Sequence, residues 1–421
     1  MTNLSRRHAV TALAATAVAA HSAGAAGEKP AAKPGPKFRI RTLTAGVHVA
    51  DLRDLASVES ALAFLKSAKT RAVAAGYAVQ TTRIATNPVL LGQSAQARDA
   101  ALPQLVELDK LVAAAGAVAS IGPVFATGAH DDQLARWSGE FVKATNTLSF
   151  SVAVATPDAG VHPPAVRLAA EITTTLARAL PGGFGNFRFA AAANISAGTP
   201  FFPVGYHGGE PALSVGCETP NLVREAFVGA PDPSIARDRL RDLLSDEFAP
   251  LENLCESLAV EGRRRYLGID SSPAPGTDNS IGAAIETLTG VPFGASGTLQ
   301  ACAAITEAIK SLRVKTCGYS GLMLPILEDP VLAARAGEGR FTIAELLLFS
   351  SVCGTGLDVV PIAGEAPPDS VRRIIGDVAT LATRLRKALS ARLFPVPGKA
   401  AGDIATFDDP RLVATKVMPL S

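Results

Sequence analysis

The strongest constraint on this chain is a rhythm of short β-branched runs alternating with helical patterns. "FRIRTLTAGVHV" (38–49) reads as a first strand, and an amphipathic helix follows through "ASVESALAFLKSAKTRAVAAG". "YAVQTTRIAT", "LPQLVELDKLVAAAG" and "AVASIGPVFA" then repeat the pattern. Strands that alternate with helices predict an α/β architecture, in which helices cover a sheet. Further strands are expected at "NTLSFSVAVAT", "FRFAAAANI", "PALSVGC" and "RYLGIDSSPAP", with a long charged helix before the last. The late segment "SVRRIIGDVATLATRLRKALSARL" (370–393) reads as one helix. No repeat of roughly 20–50 residues is visible. About eight to ten strands in one uninterrupted run point to a closed barrel or a large open sheet.

The N-terminus carries an address. "MTNLSRRHAVTALAATAVAAHSAGAAG" has a polar start, the pair Arg6-Arg7, an uncharged Ala/Val run and an A-x-A site at Ala23-Gly24-Ala25. Paired arginines after a serine mark twin-arginine export. An ordinary secretory signal with two chance arginines, or a membrane anchor, is the alternative. The apolar run is short and alanine-rich against the roughly 20 strongly apolar residues that span a bilayer. The expected organisation is a signal peptide over 1–26, a Pro-rich linker over 27–37 and a single α/β barrel domain over 38–421. Export implies a periplasmic or extracellular protein, the twin-arginine translocation machinery as a partner, and no stable membrane insertion once the signal is removed.

Losing Arg6 and Arg7 takes the 40 basic groups to 38, against 38 acidic ones. A balanced charge argues against nucleic acid or an anionic membrane surface as the partner. A small-molecule ligand is expected instead, and homo-oligomerisation is left open. Five cysteines (Cys217, Cys255, Cys302, Cys317, Cys353) are too few and too irregularly spaced for a disulfide framework or a zinc finger.

The polar residues worth weighing lie in loops beyond apolar strands, where α/β proteins place their sites. In "PVGYHGGEP", His207 and Glu210 flank two glycines, which suits metal ligation, a base with its orienter, or an exposed turn. In "LGIDSSPAP", Asp270 ends an apolar strand beside Ser271 and Ser272; it is a metal ligand or base, or else a cap. In "KTCGYSGLMLPILEDP", Cys317 sits in a small-residue loop, and Glu328 and Asp329 are expected to cap the turn before Pro330. In "VCGTGLDVV", the glycines allow a bend that would turn Cys353 and Asp358 towards one cavity. Cys353 leaves a helix C-terminus, where the dipole disfavours a thiolate. There is no G-x-S-x-G elbow, no H-E-x-x-H and no Walker loop.

Taken in order, "IRTLTAGVHVADL", "FFPVGYHGGEPALSVGCE", "LGIDSSPAPG", "CGYSGLMLPILED", "VCGTGLDVVPIAGE" and "LFPVPGKAAGD" resemble the domain-of-unknown-function 711 family over nearly all of residues 38–421. Its members are often labelled pyruvate-formate-lyase-family proteins. The resemblance implies a ten-stranded α/β barrel of the glycyl-radical-enzyme type. It also places His207, Glu210, Asp270, Cys353 and Asp358 within family motifs. A glycyl radical is not expected, because "PVPGKAAGDIATFDDPRLVATKVMPLS" lacks the C-terminal glycine loop that carries it.

These readings converge on an exported, non-radical hydrolase or lyase acting on a small polar molecule at one mouth of the barrel. His207, Glu210, Asp270 and Asp358 form the expected hard-ligand set for a divalent cation such as magnesium, calcium or manganese. Cys353 lines the cavity, and in a metal-free variant it attacks with His207 as base. The rival expectation is a non-catalytic periplasmic binding protein using the same cavity.

Overall fold

The computed structural model describes residues 35–420. The expected signal over 1–26 and the linker up to residue 34 lie outside them. The strands of the main sheet are β1 (Arg39–Val47), β2 (Val79–Thr86), β3 (Val118–Phe125), β4 (Leu148–Thr156), β5 (Gly160–Val161), β6 (Phe189–Ala193), β7 (Ala212–Glu218), β8 (Arg265–Asp270), β9 (Gly356–Ala363) and β10 (Leu389–Val396), and Ile404–Ala405 pairs with Thr415–Lys416 in a separate two-stranded sheet. They form one ten-stranded sheet in the order β8-β7-β1-β2-β3-β4-β6-β10-β9, with β5 on β4. Most neighbours run parallel; β1–β7, β6–β10 and β4–β5 are antiparallel. The mixed α/β class and the strand number agree with the sequence reading.

The sheet is not a closed barrel, because β8 and β9 both end as edges. Between them runs the irregular segment Lys315–Ile326. On one side Cys317 N donates to Ile269 O at 3.1 Å and Ile269 N to Lys315 O at 2.9 Å; on the other, Ile326 N donates to Asp358 O at 3.1 Å. These contacts amount to one isolated bridge at each edge. The segment does not extend into a strand because Gly318 and Ser320 both take positive φ, 63° and 39°.

The two faces of the sheet differ in chemistry. Leu43, Ala45 and Val47 of β1 join the main apolar core with the helices. The alternate positions are small and polar, as the period of two dictates. Thr42 lies opposite Thr81, and Thr44 lies opposite Arg83. Ser149 and Ser151 on β4 and Ser390 and Arg392 on β10 continue this polar face. The segment 195–209 packs onto it: Pro200 O accepts from Thr44 Oγ1 at 3.4 Å and from Arg83 Nη1 at 3.3 Å, and Pro203 O accepts from Ser120 Oγ at 3.1 Å.

One element departs from the sequence reading. The helix expected over 370–393 ends at Leu385, where Arg386 turns left-handed with φ of 51°, and the chain re-emerges as β10. Pairing with β6 and β9 on its two sides outweighs the helix propensity of the Lys-Ala-Leu run.

Gly321 and Gly354 bring two chain segments into backbone contact beside the open edges. A Cβ on Gly321 would lie 2.2 Å from the Cα of Gly354, and a Cβ on Gly354 would lie 2.1 Å from the Cα of Gly321. We expect Gly321→Ala to destabilise the fold by about 3 kcal/mol, the upper range for overpacking against atoms that cannot rotate away. Gly208→Ala, whose Cβ would meet nothing closer than 3.5 Å, serves as the control. Urea melts that show equal midpoints for the two variants would contradict the backbone contact.

Candidate functional site

The polar face, the segment 195–209 and the segment 315–326 enclose a cavity of about 460 Å³. That size suits a small organic molecule. Phe201, Phe202, Val204 and Met323 supply apolar wall, and Tyr319 and Ser390 supply hydroxyls joined Oη to Oγ at 2.9 Å. Six basic side chains line the cavity (Arg41, Arg83, Lys143, Arg188, Arg392 and Arg411) against two acidic ones, Glu328 and Asp358.

Both carboxylates are held by arginine. Glu328 accepts from Arg41 Nη2 and from Arg392 Nη2, each at 2.9 Å, while Asp358 Oδ1 accepts from Arg392 Nε at 2.6 Å. The two acids are pushed apart. Burial raises the Asp358 pKa, the single Arg392 guanidinium only partly opposes it, and the charge of Glu328 adds to the rise. Glu328 is equally desolvated, yet Arg392 and Arg41 together hold its pKa below the usual range. Phe187 sits between Arg392 and Arg411, each 5.0 Å from its ring centre, and Arg411 is itself paired with Asp409.

A bulge aims Asp358 into this cavity. On β10, Ala391 and Leu393 flank the single residue Arg392; on β9, the matching partners Leu357 and Val360 flank two residues, Asp358 and Val359. Val359 carries the distortion with φ of 40°. A β-branched residue rarely occupies that region, and such strain and bulges recur beside functional sites.

Of the five residues singled out from sequence, Asp358 lines the cavity and the other four do not. His207 is buried against β1, where a Cβ on Gly46 would sit 2.2 Å from its Nδ1. Its Nε2 lies 2.7 Å from Glu210 O, which makes Nε2 the protonated nitrogen, and its Nδ1 has no hydrogen-bond partner among the described residues. The Glu210 side chain is exposed. Asp270 is fully buried and accepts from Ser272 N, Ser272 Oγ, Tyr319 N and Ser320 N at 3.1, 2.6, 2.8 and 2.9 Å. It therefore fixes the turn of the segment 315–326; burial raises its pKa, and those donors pull against the rise.

Cys353 is fully buried at the C-terminus of the helix Ile343–Val352. There Lys387 Nζ donates to Ser350 O at 2.8 Å and also to Cys353 O, a cation placed where the helix dipole favours one. All five cysteines are free thiols, and burial pushes those of Cys217, Cys302 and Cys317 up.

Among the described residues no three His, Cys, Asp or Glu side chains gather as a metal-binding group. The expected set His207, Glu210, Asp270 and Asp358 does not fit a divalent ion, because Asp270 spends its oxygens on backbone and serine donors and Asp358 is paired with arginine. Asp329 does cap the helix Pro330–Gly337 as expected from the sequence. Glu328 does not, since its carboxylate is drawn into the arginine cluster. The arginines themselves were missed by sequence reading. Their signal is a hydroxyl or arginine at alternate strand positions: Thr42-x-Thr44, Thr81-x-Arg83, Ser149-x-Ser151 and Ser390-x-Arg392.

Comparison with known proteins places this geometry in context. The family model described as "Uncharacterised ACR (DUF711)" matches residues 35–408. A UPF0210 protein of Pyrobaculum islandicum is 33% identical over 279 residues, covering 63% of this chain and 60% of the relative. UPF0210 proteins of Actinobacillus succinogenes and Neisseria gonorrhoeae are 25% and 26% identical over 407 and 402 residues, each covering 88% of both chains.

Burial lowers the pKa of His207 below 6.5, with Arg264 and His48 adding to the effect and the carbonyls of Glu210 and Gly209 opposing it. The unfolded chain then takes up this proton before the folded one. Stability is present above the unfolded pKa and is lost as pH falls through the folded value. In unfolding titrations between about pH 8 and pH 5, His207→Gln is expected to flatten the slope of stability against pH. An unchanged slope would show that this ring does not carry the effect.

Proposed function

The chain belongs to the DUF711 family, and from that premise we propose that its cavity is the site of a non-radical hydrolase or lyase acting on a small polar molecule. The observation that carries this reading is the bulge that turns Asp358 into the cavity with one hydrogen-bonded arginine partner. Two carboxylates whose environments drive their pKa values apart are a recurring basis for acid–base chemistry. Asp358, raised and singly paired, is the group that gives and takes the proton. Glu328, lowered and doubly paired, stays ionised and fixes Arg41 and Arg392.

Tyr319 and Ser390 complete the wall facing the reacting group. Burial holds the Tyr319 phenol protonated; its proton is donated to Ser390 Oγ, which leaves the phenol oxygen as an acceptor. The Ser390 hydroxyl passes its own proton towards Thr355 O at 3.1 Å. Water taking part in hydrolysis, or a proton removed in elimination, would meet Asp358 at the polar end of the cavity. The C-terminal sequence gives a radical route no support. The bridging of β8 and β9 by Lys315–Ile326 supports placing the sheet beside the ten-stranded barrels of glycyl radical enzymes as a fold relative. The Arg6-Arg7 segment supports an exported location.

A second reading is favoured by one observation: both carboxylates of the cavity are paired with arginine, and most of the wall is apolar. A binding protein needs no more than that. The two readings separate on Asp358→Asn. If Asp358 moves the proton, a hydrolytic or elimination activity found in a substrate screen falls by about 10²–10⁴-fold in this variant, while ligand affinity changes little. Turnover retained in Asp358→Asn would remove Asp358 from the chemistry. Ligand bound by the wild type without any turnover would favour the binding protein.

A further inference from the structure

Among the described residues, two guanidiniums of the cavity have no carboxylate partner: Arg188, whose Nη1 and Nη2 are taken up by Thr145 O and Thr145 Oγ1 at 2.5 and 3.3 Å, and Arg83. Arg41 and Arg392 share Glu328, Arg392 also holds Asp358, and Arg411 holds Asp409. Arg83, in the middle of β2, makes no ion pair among the described residues. Its Nε donates to Thr81 Oγ1 at 3.2 Å and its Nη1 to Pro200 O at 3.3 Å, both long contacts to neutral oxygens. Its Nη2 has no hydrogen-bond partner among the described residues, and the guanidinium lies 5.1 Å over the Phe202 ring.

This charge is expensive to keep as it stands. Desolvation and the neighbouring Arg41 and Arg392 guanidiniums press its pKa down to about 9, which leaves it cationic at neutral pH. A desolvated cation flanked by like charges is unfavourable until an anion joins it. A guanidinium is also the side chain best shaped to hold carboxylate or phosphate oxygens through two donors. Around Arg83 the cavity continues as the apolar wall of Phe201, Phe202 and Met323.

We propose that Arg83 anchors the ligand of this cavity through a carboxylate or phosphate group, with a short apolar body lying against Phe201, Phe202 and Met323. This rests on the reading of the cavity as a small-molecule site and adds the chemical class of the molecule. The cation–π contact with Phe202 leaves Nη2 without a partner among the described residues, so a ligand anion has donors to meet. The anion takes the place of the missing carboxylate, and the repulsion from Arg41 and Arg392 then becomes attraction for the ligand.

Three probes of similar shape test this by calorimetric titration of the full chain: benzoate, phenyl phosphate and the neutral benzamide. At least one of the two anions is expected to bind about tenfold or more tighter than benzamide, and Arg83→Gln should erase that preference. Which anion binds tighter decides between carboxylate and phosphate. Arg83→Lys keeps the charge but not the fork, so it should retain part of the preference; it also covers the case in which Arg83→Gln fails to fold. The exposed Arg136→Gln is the control. Benzamide bound as tightly as both anions would overturn the anchor while leaving the cavity as a small-molecule site. Anion binding unchanged in Arg83→Gln, or no binding of either anion, would overturn it as well. Anion binding lost in Arg83→Gln, beside turnover that survives Asp358→Asn, would keep the anchor and sink the acid–base role.

Discussion

The buried chain of charges Arg41–Glu328–Arg392–Asp358 is the interaction on which the arrangement of this molecule turns. Its members come from β1, from the turn after the irregular edge segment, from β10 and from β9. Such a chain does little for net stability, because taking each ion out of water costs about as much as its partners return. Its members are interdependent nonetheless. Removing one leaves a charge stranded in the interior, typically at about 3–5 kcal/mol. The chain therefore helps specify which strands meet beside the irregular segment that bridges β8 and β9.

Around that chain the fold divides its labour cleanly. The helix-facing side of the sheet is filled by aliphatic and aromatic residues, and stability comes from there. The other side is lined with threonine, serine, alanine and arginine, and it is packed by two non-regular segments rather than by helices. Backbone carbonyls at Pro200 and Pro203 accept from Thr44, Arg83 and Ser120, so the polar face is partly covered. What stays open between the segments is the cavity.

The sequence disclosed the α/β class because Val, Ile and Leu recur at strand period between helical stretches. It could not disclose that the sheet stays open. Openness depends on whether Lys315–Ile326 pairs as a strand, and two positive-φ residues decide that locally. The strand β10 was hidden because "RKALSARL" has good helix formers, and pairing on both sides overrides them. Among the site residues, Asp358 was legible from the glycines before it. His207 and Asp270 drew attention as polar residues in glycine- and serine-rich loops, yet both are spent on holding backbone. Arginine at alternate strand positions was the better signal, since a strand that buries both faces has little reason to carry Arg83 or Arg392 unless something charged lies between them.

The segment Lys315–Ile326 has one further consequence. An edge strand offers a row of free amides and carbonyls to any passing chain, and proteins guard such rows to avoid sticking to one another. Here two edges, β8 and β9, are guarded by the same stretch of chain. It is held in place by the carboxylate of Asp270 and by the contact between Gly321 and Gly354. Loosening that stretch would bare both edges at once, so resistance of this protein to aggregation depends on a buried aspartate and two glycines, none of which touches the exposed surface.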